Sequence, residues 1–159
     1  MNILAISKST NNISFALFQD KVLATAQIKP FKEFESHKRK GEIYQMLTNL
    51  VVEYQVGVVV THKVDVDDYK KKDVRKIFEM RAIIELVCNQ NKVVYIEQGT
   101  NGWERYITNG RNTAKRKIDI VNKGYNLNLK YDDNFLIGQQ DLADAIILGE
   151  AIAHRRLFV

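Results

Sequence analysis

Between Gln139 and Arg156 the chain reads QQDLADAIILGEAIAHRR, and this stretch limits what the rest can fold into. Leu142, Ala145, Ile146, Gly149, Ile152 and Ala153 recur at the helical period, which predicts a helix with one face buried in a core. Asp141 and Asp144 are separated by one helical turn near its start, so their carboxylates project from the same face. Such a pair is chemically equipped to hold a hard cation. Acidic residues in a first turn also complement the helix macrodipole, which suffices to explain Asp141. Asp144 lies deeper among apolar neighbours and calls for a further reason.

Upstream, two kinds of hydrophobic pattern follow one another. Residues 2–7 (NILAIS), 13–18 (ISFALF) and 22–28 (VLATAQI) are short strand-like runs joined by turn-rich segments, and they predict an antiparallel meander that ends near the single proline, Pro30. A helical pattern follows, with Ile43, Leu47, Leu50, Val51 and Tyr54 in phase. Next come a β-branched run, residues 56–61, of the kind buried on both faces of a parallel sheet, and a second long helix over 67–89. That helix is expected to turn Val74, Ile77, Phe78, Ile84 and Val87 inward. Residues 92–96 (KVVYI) make a fifth strand, with Glu97 on the solvent side at its end. Asn112 or Thr113 can cap another helix carrying Ile118 and Val121 inward. Residues 1–159 therefore read as one α/β domain, and a chain of 159 residues is long enough to bury a core without staples.

The formal net charge is +5, and its placement is uneven. Residues 111–130 hold six Lys or Arg against one Asp, so the rest of the chain is balanced. A concentrated basic segment is the footprint of phosphate binding, although a cluster on a helix also serves simply as a solvated face. Lys115, Arg116 and Lys117 stand at a helix start, where positive charge opposes the macrodipole unless an anion faces it. The only cysteine, Cys88, sits in an apolar helical pattern and reads as a small buried hydrophobe in a reducing compartment. MNILAIS has neither a basic leader nor a long apolar run, and no stretch approaches a membrane span, which predicts a cytoplasmic protein without membrane contact. No glycine-rich phosphate loop and no zinc-spaced Cys and His cluster occurs.

Three antiparallel strands, then alternating helices and parallel strands, then a last helix packed on the sheet make a ribonuclease H-like architecture. The expected fold is a five-stranded mixed sheet with helices on both faces. Three stretches carry a more specific likeness. ILAIS forms the first strand; WERYITNGRNTAKRKI combines a tryptophan, basic residues and a glycine before a helix; and DLADAIILGEAIAH is the terminal acidic helix. On these the chain resembles the RuvC-type Holliday junction resolvases, particularly their short phage-borne relatives, over nearly its full length.

The resemblance implies a homodimer that binds branched DNA. It places Trp103, Arg105, Arg111, Lys115, Arg116 and Lys117 at the nucleic acid, and Asp141 and Asp144 at a Mg²⁺ or Mn²⁺ site. It also exposes a defect. The family draws four acidic side chains to its nuclease site, and this chain has only the two on the terminal helix. Ser7, followed by Lys8, stands where the first strand should end in Asp, and Thr61 or His62 stands where the fourth strand should carry Glu. A two-ion phosphodiester mechanism needs several carboxylates around ions about 4 Å apart, so cleavage is expected to be weak or lost, with room for at most one weakly held ion. Asp65, Asp67 and Asp68 follow the fourth strand either as substitute ligands or as capping charges for the next helix. Ser7 has no recognisable histidine and acid beside it and is not a nucleophile. Three functions follow for testing: a junction-binding protein with weakened nuclease activity, an active endonuclease with a rearranged site, and an assembly protein that has kept only the fold.

Overall fold

The structure, a computed structural model, describes residues 1–8, 12–30, 36–63, 71–99, 113–134 and 138–154. Five strands, β1 (Asn2–Lys8), β2 (Asn12–Gln19), β3 (Val22–Pro30), β4 (Val56–His62) and β5 (Val94–Gln98), form one sheet in the order β3-β2-β1-β4-β5. The β1–β2 and β2–β3 pairs are antiparallel, and the β1–β4 and β4–β5 pairs are parallel. The helices among the described residues are α1 (Ser36–Glu53), α2 (Lys71–Gln90), α3 (Ala114–Tyr125) and α4 (Gln140–His154). This is the predicted ribonuclease H-like fold. The elements differ from expectation mainly at their ends: α1 begins earlier and takes in Lys38, Arg39 and Lys40, and β5 is shifted two residues later.

Side-chain alternation divides the core in two. Ile3 and Ala5 of β1, Ala16 and Phe18 of β2, and Val58 and Val60 of β4 face α3 and α4. Leu4, Ile6, Phe15, Leu17 and Val59 face the other way, against Ile43 and Leu47 of α1 and Met80, Ile84 and Val87 of α2. Helices therefore cover both faces of the sheet. Cys88 is buried in the second layer, and burial pushes its thiol up to about 11, so at neutral pH it is an inert apolar side chain.

Two helix faces depart from the periodicity reading. α4 is buried well beyond a single stripe: Ala143, Ile147, Leu148 and Ala151 are covered as completely as the predicted positions. The sheet lies on one side of it and Ile118 and Val121 of α3 on another, so only Asp141, Asp144, Glu150 and His154 keep part of their surface in water. On α2, Phe78 does not point inward but is 38 % exposed, in line with exposed Ala82 and with Leu86 at 49 %. Periodicity cannot separate neighbouring positions on the edge of an apolar stripe, and Phe78 falls just outside it.

α4 approaches the sheet closely at Gly149. A Cβ there would overlap the Phe18 ring and lie 3.2 Å from the Ala5 Cβ. The helix runs antiparallel to β1, since Gly149 lies over Ala5 and the His154 Nε2 is 2.8 Å from the Lys21 carbonyl oxygen in the β2–β3 turn. Asp20 and Lys21 make that turn with φ of 49° and 70°, the left-handed pair that matches a two-residue hairpin connection. The start of α4, with its two aspartates, thus comes to the C-terminal end of β1.

Candidate acidic site and basic helix

The C-terminal ends of parallel strands form the usual crevice of an open α/β sheet. Ser7 follows Ile3 and Ala5 in the alternation of β1, so it projects toward the α4 face, and its register partner Ser14 on β2 does the same. Both are buried, and the Ser14 Oγ has no hydrogen-bond partner among the described residues. On β4, Val58 and Val60 face α4, which puts His62 on this face as well. Side-chain alternation therefore directs Ser7, Ser14 and His62 toward the face that carries Asp141 and Asp144.

Thr61 takes the opposite face. Fully buried, it donates a hydrogen bond to the Tyr95 hydroxyl at 2.9 Å, and Tyr95 donates in turn to the Glu97 Oε1 at 3.1 Å. Glu97 is ion-paired to Arg81 of α2, which also reaches Glu85 at 3.1 Å. Burial pushes the Tyr95 phenol up, and its neutral O–H is what bridges threonine and carboxylate. Glu97 does not face solvent in the way its place at a strand end predicts. Its side chain is only 17 % exposed and ties β5 to α2. A lone Glu at a strand end carries no signal of this network, because Arg81 and Tyr95 become its neighbours only through the fold.

Lys117 supplies the feature that sequence reasoning missed. Its Nζ lies 2.9 Å from the Asp144 Oδ1, with the lysine side chain 14 % and the aspartate 25 % exposed. The arrangement answers the question raised by a basic helix start. α3 has no acidic residue in its first turn, and Thr113 caps it by accepting from the Arg116 backbone N–H at 3.2 Å. The anion that Lys117 faces is a side chain of the next helix. Burial first, and the neighbouring Asp144 charge second, raise Asp141 to about 6 against the opposing pull of Lys117.

The rest of the basic segment divides. Lys115 is exposed, with its Nζ 5.1 Å from the centre of the Tyr131 ring. Arg116 is half-buried, and its Nε lacks a hydrogen-bond partner among the described residues. Trp103, Arg105 and Arg111 lie outside the described residues, as do Asp65, Asp67 and Asp68. At the other end of α4 is a cavity of about 430 Å³ lined by Leu23, Val121, Tyr125, Ile147, Glu150 and His154. There Tyr125 donates a hydrogen bond to Glu150, whose carboxyl is raised because burial outweighs the opposing pull of His154.

A pair of divalent ions does not fit the donor set at the start of α4. Among the described residues no group of three or more His, Cys, Asp or Glu side chains is placed to hold a metal ion. Among the described residues the two aspartates are the acidic pair at this point, and an ammonium already sits on one of them. Two like-charged divalent ions close together need more carboxylates than this.

No protein-family model matches the sequence, and no curated protein matches it. The fold nevertheless belongs to a definite class, the ribonuclease H-like sheet with its covering helices. Among solved structures it is similar to Thermus thermophilus RuvC in complex with Holliday junction substrate, with a TM-score of 0.76 and 11 % identity over 95 % of this chain and 91 % of that one. The yeast mitochondrial Holliday junction resolvase gives a TM-score of 0.67 at 9 % identity, covering 95 % of this chain and 77 % of its own. The Fowlpox virus resolvase, solved with substrate Holliday junction DNA, gives 0.55 at 14 % identity, covering 96 % and 97 %. At such identities the likeness establishes the fold, which is RuvC-like.

Proposed function

We propose that residues 1–159 act as one RuvC-like domain that binds branched DNA of the four-way junction kind and cleaves it weakly or not at all. The observation that carries this reading is the ion pair between Lys117 and Asp144 at the sheet crevice, in a fold shared with resolvases solved on junction DNA. At the C-terminal end of β1 an acidic pair and a lysine come together, with the ammonium already on one aspartate. Lys115 and Arg116 at the start of α3, together with Arg111, Arg105 and Trp103 in the preceding segment, supply the DNA contacts. Phosphate contacts of this kind give salt-dependent affinity without sequence information. A single Mg²⁺ or Mn²⁺ at Asp141 and Asp144 would have to compete with Lys117. The reading suits a reducing, cytoplasmic setting, and no described helix is long and apolar enough to cross a membrane.

The test is a titration of four-way junction and plain duplex DNA at rising salt. The junction is expected to bind at least about tenfold more tightly, with affinity falling steeply as salt rises. Lys115→Ala should weaken binding and reduce the salt slope by roughly one. Equal affinity for junction and duplex overturns the reading, and no affinity for either favours an assembly role. Junction strands incubated with Mg²⁺ are expected to stay intact; cleavage that Asp144→Asn abolishes would restore the endonuclease reading.

The homodimer has its own candidate surface. Phe78, Ala82 and Leu86 line up at one-turn intervals on the exposed side of α2, with a small residue between two large ones. A two-fold axis through Ala82 would set Phe78 of each copy against Leu86 of the other, the self-complementarity an isologous contact requires. Leu86→Lys is expected to convert a dimer to a monomer in light scattering while leaving the melting midpoint of the protomer fold intact. A dimer unchanged by that substitution would exclude this surface.

A further inference from the structure

We propose that the Lys117 ammonium is the resident cation of the crevice, bound to Asp144 in place of a divalent metal ion. The proposal rests on reading Asp141 and Asp144 as the counterpart of a resolvase's acidic pair. Its grounds are geometric. The Nζ–Oδ1 separation is 2.9 Å, and at 14 % exposure the lysine is not a solvated surface charge. A lysine in the opening turns of α3 is unfavourable to that helix unless an anion faces it, and no acidic residue of the first turn does so. Asp144 on the adjacent helix is that anion.

The neighbours on this face point the same way. Ser7 and Ser14 bring hydroxyls where further carboxylates would be needed to balance added charge. With two aspartates and one lysine, the group carries about one negative charge at most. A divalent ion added to it would leave a positive excess, so the ion must first displace Lys117. The lysine is tethered to α3 and competes intramolecularly, an advantage a free ion at ordinary concentration lacks. The fold should therefore stand without metal, and removal of the amine should open the pair to divalent ions.

Melting curves of wild type, Lys117→Met, Asp144→Asn and the double variant, each with EDTA or with millimolar Mn²⁺, test this. Lys117→Met is expected to lower the midpoint by about 5 °C in EDTA, since it leaves a half-buried carboxylate without its partner. Mn²⁺ should raise that variant by about 3 °C and leave wild type unmoved. The double variant should melt above Lys117→Met, because the orphaned charge is gone. It remains informative if the single variant does not fold. Equal Mn²⁺ shifts in wild type and Lys117→Met, or additive effects in the double variant, overturn the proposal. Loss of junction selectivity would instead count against the proposed function, without altering these midpoints.

Discussion

Asp141→Asn is expected to stabilise the protein by up to about 3 kcal/mol at pH 8 and by only about half a kcal/mol at pH 4. The reason lies in where the carboxyl titrates. Burial and the Asp144 charge raise Asp141 from 3.8 to about 6, so in the folded state it binds its proton more tightly than in the unfolded chain. For an acid the sign follows directly: stability falls as pH rises between those two values, and the full penalty stands above the upper one. Asparagine removes the ionisation and with it the pH-dependent loss. Urea unfolding of both proteins at pH 4, 6 and 8 checks this, and a gain independent of pH would contradict it. A carboxyl whose ionised form opposes folding is a candidate for a functional role.

Gly149→Val is expected to have an effect of similar size and opposite sign, a loss of about 3 kcal/mol or more. Even alanine places its Cβ inside the Phe18 ring, and that ring is fully buried and packed edge-on against Tyr125 with centroids 6.4 Å apart. Any shift of the ring must disturb that packing. The gain of about 1 kcal/mol that alanine normally brings to a helix interior is therefore outweighed by overlap. Combining Gly149→Val with Phe18→Leu should recover much of the lost midpoint. If Gly149→Val melts like wild type, the close approach of α4 to the sheet is not what sets this position.

The same two positions mark how far the sequence alone could be read. The apolar period of Leu142, Ala145, Ile146, Gly149, Ile152 and Ala153 announces a helix with a buried face, and the order of strands and helices along the chain follows from short runs alternating with long ones. What periodicity could not convey is that Ile147, Leu148 and Ala151 are buried too, because their cover comes from α3. Phe78 is exposed for the converse reason: a helix stripe has an edge, and one residue either way decides exposure. At the candidate site, the helical placement of Asp141 and Asp144 was legible from spacing. The partner of Asp144 was not, since Lys117 is distant in sequence and helix packing brings the two together. A hint was present in the basic start of α3, which needed an anion that its own first turn lacks. Thr61 and His62, indistinguishable in sequence as replacements for a glutamate, are separated by strand alternation into opposite faces of the sheet.

The burial of α4 also bears on the order in which the molecule can assemble. Its partners are Ala5, Ala16 and Phe18, from the first two strands, whereas the helix itself is the last described element of the chain. The α1 and α2 layer can close from segments that follow the meander directly. The opposite layer requires joining the two ends of the described chain, a long loop closure with a correspondingly high contact order. Until that happens, one face of the meander stays wet and Phe18 lacks its cover. The placement of the two aspartates and the sealing of this face of the sheet thus depend on the same long-range closure.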